Sequence, residues 1–159
     1  MSENLDFSLP EHDRPRPSRS GRCGAALQWL TLGVVLVLAA WLQPSPLGHS
    51  TDAQLGLGQC SFLTLTGYPC PMCGATTTFT LWAHLQPLTG LATQPFASLL
   101  FLMTVGTFAV ALAEIVQPRE RWRRILEALG PYEGVLATLF LVAMGLGWIY
   151  KIAIMRWLV

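Results

Sequence analysis

Apolar positions along this chain fall in long unbroken blocks rather than in stripes of helical or strand period. Ala25 to Leu42 (AALQWLTLGVVLVLAAWL) holds no charge. At about 1.5 Å per residue it covers about 27 Å. Phe96 to Val116 (FASLLFLMTVGTFAVALAEIV) carries one acid, Glu114, near its end. Gly134 to Tyr150 (GVLATLFLVAMGLGWIY) is uncharged, with Tyr132, Trp148, Tyr150 and Trp157 near its ends, where interfacial aromatic residues gather. Three such blocks predict an all-α membrane protein with spans over about 25–42, 96–116 and 134–152. The first block is long for the apolar part of a signal peptide and ends in WLQPSP without a small-residue cleavage pattern, so it predicts an uncleaved span.

The connection from 43 to 95 is neither lipid-like nor charged. QPSPLGHSTDAQLGLGQ is turn chemistry, and CSFLTLTGY suits a short strand or a turn of interfacial helix. TTTFTLWAHLQ predicts a short helix: its threonines can cap a start, Phe79, Trp82 and Leu85 share a face, and Pro87 stops it. At about eleven residues it is too short to span, and belongs in the interface or as a re-entrant element.

Composition agrees with the pattern. Of 159 residues 52% are hydrophobic and 12% charged, against about 25% charged in soluble domains. A net charge of +1, with no basic patch or stripe outside two short clusters, gives no sign of nucleic acid, and none is expected as a partner. The bilayer is the implied partner. The glycines Gly106, Gly145 and Gly147 suit close helix packing, and so a homo-oligomer or a membrane-protein partner.

Charge sets an expected orientation. Arg14, Arg16, Arg19 and Arg22 precede the first span, and Arg119, Arg121, Arg123 and Arg124 lie between the second and third. The positive-inside rule puts both groups in the cytoplasm and the 43–95 connection outside the cytoplasmic membrane. Lys151 and Arg156 run against it, and are expected to snorkel from the helix end. Glu114 is expected to snorkel or pair with Arg119, and Glu133 to start the third span. Residues 1–24, rich in Pro, Ser and Arg, read as a disordered cytoplasmic tail.

Candidate chemistry lies in TGYPCPMCGATTTF. Cys70 and Cys73 form a C-x-x-C pair, Cys60 stands ten residues upstream, and Cys23 is placed on the other side of the membrane. Three readings stay open. In the first, Pro71 and Gly74 shape a metal knuckle, and Cys60, Cys70 and Cys73 with His84 or His49 hold zinc. In the second, the C-x-x-C pair at a helix start has a lowered thiol pKa and works with Cys60 as a thiol–disulfide oxidoreductase. In the third, Cys60 pairs with Cys70 or Cys73 in a plain disulfide staple worth about 2–4 kcal/mol. Gly74 stands where a c-type haem motif needs histidine, which excludes that cofactor.

These residues carry a resemblance. Cys60, Leu65, Thr66, Gly67, Cys70, Pro71, Cys73, Gly74 and Thr76, with His84 and Pro95, fit the pattern of the bacterial membrane-protein family catalogued as domain-of-unknown-function family 2752. The resemblance implies a small three-span protein with the motif between the first two spans, and no known reaction. Three positions depart from it: Thr77 stands for an arginine, Gln94 for an asparagine and Gln86 for an aspartate. Without that arginine the redox reading lacks a helix-opening charge. The chain therefore reads as a membrane component, not an enzyme, whose CPxCG turn is structural or metal-held; the competing reading is a membrane thiol–disulfide oxidoreductase.

Overall fold

A computed structural model describes residues 19–58, 60–117 and 121–157, and among these every regular element is helical. Helix α1 (Arg19–Trp41) carries the first apolar block, α5 (Pro95–Val116) the second and α7 (Glu133–Trp157) the third. All three are long and apolar enough to cross a membrane. Residues 1–18 of the predicted tail lie outside the described residues. Residues 19–24 do not belong to a tail, because α1 already begins at Arg19. Extending an existing helix needs only one hydrogen bond per residue fixed, so the ordered block recruits its polar flank.

The connection between α1 and α5 is almost wholly helical. A 3-10 turn (Thr51–Leu55) is followed by α2 (Ser61–Thr66), α3 (Ala75–Ala83) and α4 (Pro87–Thr93). CSFLTLTGY therefore takes the helical alternative. Pro87 does more than stop α3: it occupies the first turn of α4, where a missing N–H costs nothing. Pro95 opens α5 in the same way after an extended Gln94 (φ −159°). The arginine-rich segment after α5 includes a short amphipathic helix, α6 (Arg121–Leu129), and a 3-10 turn (Gly130–Tyr132) then leads into α7. Glu133 starts α7, in favourable register with the helix dipole.

Burial is concentrated at one end of the molecule. α3 is enclosed by α1, α4 and α5, and buries Thr77, Thr78, Thr80 and Leu81. Phe79 meets Phe101 edge to face with centroids 5.3 Å apart, and Trp82 lies 5.5 Å from the same ring while donating to Ser98 Oγ at 2.9 Å. Leu85, expected on that face, lies beyond the helix end with φ 59° and points outward. The outward flanks of the spans stay uncovered, as lipid-facing surface must. Within the chain, Gly147 allows a close approach: a Cβ there would come 2.7 Å from Phe96 Cβ. Gly106 and Gly145 face open space.

The far end of α7 is bonded to the connection. Trp148 Nε1 donates to Pro69 O (2.8 Å), Tyr150 Oη to Ala92 O (2.8 Å), and Arg156 Nη1 to Tyr68 Oη (3.0 Å). At the opposite end Arg121 donates its backbone N–H to Glu114 Oε2 at 3.1 Å, and its guanidinium to Ala113 O and Gln117 O. The expected partner Arg119 lies outside the described residues.

Candidate functional site

The C-P-M-C-G stretch folds as a tight turn. Cys73 N–H donates to Cys70 O at 2.9 Å and Ala75 N–H to Met72 O at 3.0 Å. Gly74, at φ 87°, takes the left-handed conformation that opens α3, and its carbonyl accepts from Thr78 N–H at 2.8 Å. Cys60 arrives from the other side as the N-cap of α2. The Sγ atoms of Cys60, Cys70 and Cys73 all lie within 4.8 Å of one another. Sulfurs bound to one tetrahedral zinc at about 2.3 Å sit about 3.8 Å apart, so small side-chain adjustments would bring the three onto one ion.

The backs of these residues are tied to three further elements. Gln94 is fully buried and donates from Nε2 to Pro71 O at 2.7 Å. Its Oε1 has no protein partner. Trp148 holds the carbonyl of Pro69, next to Cys70. Lys151 donates from Nζ to Gly48 O (2.9 Å) and to Thr93 O (3.3 Å). Lys151 does not snorkel, contrary to expectation: it is 3% exposed and turned into the protein. Two backbone carbonyls offer the ammonium hydrogen bonds there, which offsets part of its desolvation.

The thiols are not equivalent. Burial pushes Cys73 up to about 11, and the neighbouring Cys70 and Cys60 push it the same way, while Lys151 acts against them. Cys70 is raised, first by burial and then by the hydrogen bond its thiol gives to Cys60. Cys60 is lowered, chiefly by the backbone N–H of Leu63 in the first turn of α2, although no full capping bond forms at that sulfur. The sequence placed the lowered thiol in the C-x-x-C pair at the start of α3. Burial reverses this for both members, and the more acidic thiol is the upstream Cys60.

Neither histidine joins the sulfurs in this arrangement. His84 Nε2 lies 2.9 Å from Leu42 O, where it ties the end of α3 to the end of α1, and His49 Nδ1 lies 3.0 Å from Leu47 O. Cys23 is exposed on α1, apart from the group. Thr77 is fully buried, its Oγ1 2.8 Å from Thr51 Oγ1. Gln86 is an exposed N-cap of α4. Lys151 and Trp148 were missed as parts of the site. The signal for Lys151 was a cation within an apolar helix.

The class of protein is thus defined: an all-α protein with three membrane-crossing helices and a three-thiol turn packed at one end of them. Residues 60–108 match the model of the family described as Protein of unknown function (DUF2752). The match begins at Cys60, takes in the whole turn, and runs into α5, which bears out the resemblance read from CPMCG and its flanks. No curated protein and no solved structure matches the chain.

Proposed function

We propose that this is a non-enzymatic component of the cytoplasmic membrane whose connection between the first two spans is held together by a thiophilic divalent metal, zinc foremost, on the three cysteines. The observation that carries the proposal is the convergence of three sulfurs from two separate segments to within 4.8 Å of one another. Three thiolates so close repel, which is why each neighbour raises Cys73. A divalent cation removes that conflict, since coordinated thiols deprotonate outright. The metal would brace α2 against the α3 turn in a segment where few apolar residues are buried. The arginine clusters, read by the positive-inside rule, favour an inside N-terminus and an inside α5–α7 junction. The bonds from the end of α7 to the connection put both at one face, so the connection and the end of α7 share whichever side the arginine clusters do not take.

The second reading is a thiol–disulfide oxidoreductase, favoured by one observation. Cys60 is the more acidic thiol and accepts a hydrogen bond from the Cys70 thiol, so it is poised as a nucleophile. Counting thiols on the detergent-purified chain, with metal analysis alongside, separates the two. About one zinc per chain with thiols released only on denaturation supports the brace. A metal-free protein whose single disulfide is reversibly reduced by external dithiols would replace it with the redox reading.

A further inference from the structure

We infer that the metal at the three cysteines keeps an open fourth coordination position, filled from outside the chain by a neutral, exchangeable donor of the water or imidazole class. The inference rests on the metal reading of the site. Closed structural zinc sites take four protein ligands, whereas sites that exchange a ligand take three and leave one place open. Among the described residues the group holds three donors, Cys60, Cys70 and Cys73, and no histidine or carboxylate. The two histidines nearest in sequence are engaged elsewhere. His84 is part of the joint between α3 and α1 through Leu42 O, and His49 bonds locally to Leu47 O.

Access and charge point the same way. Cys73 is buried and forms the floor of the group, while Cys60 and Cys70 are half-exposed, so the uncovered side is theirs. Three thiolates around a divalent ion carry one net negative charge. Lys151 supplies a positive charge from behind: its Nζ lies 3.1 Å from where a Cβ on Gly74 would stand. That balance is complete with a neutral fourth donor. A fourth anion would leave an uncompensated charge beside a buried sulfur, which partly buried surroundings penalise.

Cobalt(II) loaded into the full chain in detergent tests this, because its visible bands report both thiolate ligation and the remaining ligand. The expected result is sulfur-to-cobalt charge transfer in the wild type, lost in Cys60→Ser. Imidazole titration should then shift the d–d bands saturably while charge transfer persists. His84→Gln, which keeps a donor for Leu42 O, and His49→Gln should give the same spectra and the same titration. Bands indifferent to imidazole, or altered by either histidine variant before imidazole is added, would show an internal fourth ligand and overturn the open position alone. Imidazole that strips the ion, seen as falling charge transfer, would overturn it too. A wild type with no thiolate charge transfer at all would remove the metal reading, and this inference with it.

Discussion

Gly74→Ala should open the joint behind the cysteines, and Gly67→Ala supplies the control. Both glycines have positive φ, 87° and 72°, so an alanine at either meets the left-handed penalty of about 1–2 kcal/mol. They differ in surroundings. A Cβ at Gly67 meets nothing within 4 Å, whereas at Gly74 it would stand 2.5 Å from Gly48 O, a backbone atom that cannot rotate away. That carbonyl accepts the Lys151 ammonium at 2.9 Å, so displacing it weakens a buried charged hydrogen bond of the kind worth about 1.5–3 kcal/mol. The expected difference between the variants is about 2 kcal/mol, or about thirtyfold in the population of the opened form. Peptide-resolved alkylation of Cys73 in metal-stripped protein reads this directly, because that thiol is buried and reacts only on opening. Gly67→Ala should raise the rate by about five- to thirtyfold, and Gly74→Ala by about thirtyfold more. Equal rates in the two variants would refute the contact between the turn and Gly48.

Other perturbations probe the same assembly. Lys151→Met should leave Gly48 O and Thr93 O without their donor and destabilise the protein by about 2–3 kcal/mol, seen as a lower melting temperature in detergent. Thr77→Val should cost only about 1 kcal/mol for the lost bond to Thr51. Thr77→Arg, the residue the family resemblance would put there, should cost several times more, because it places a guanidinium at a fully buried position. Metal-free protein should lose stability at alkaline pH. A Cys73 pKa raised from 9.0 to about 11 favours the neutral thiol in the fold, so its contribution is full below pH 9.0 and is lost as pH rises through about 11. Denaturation followed by intrinsic fluorescence should show that loss, and Cys73→Ala should flatten it. With metal bound the direction reverses, and acid becomes the destabilising condition as thiolates protonate.

The spans were legible in the sequence because crossing a bilayer demands uninterrupted apolar length, a property of local composition alone. Two of their starts were equally local: Pro95 fixes the first turn of α5, and Glu133 opens α7. The turn geometry at CPMCG also followed from its own residues, since only glycine takes the φ found at Gly74 without strain. What the chain order could not reveal is which groups meet across long separations. Lys151 lies 103 residues from Gly48, and Trp148 lies 79 from Pro69. No periodicity encodes such contacts. A lysine at a helix end satisfies the sequence equally well by snorkelling; the carbonyls of Gly48 and Thr93 make the inward course favourable only once α7 lies against the connection. The thiol order was inverted for the same reason. A helix start lowers a cysteine's pKa when the sulfur is solvated, but tertiary packing buries Cys73 and makes Cys70 a donor to Cys60. His84 was a chemically sound ligand by sequence, and its ring is directed by the carbonyl of Leu42, just past the end of α1. Local chemistry set the elements and the turn; desolvation and long-range hydrogen bonding, which exist only in the packed chain, decided the role of each polar side chain.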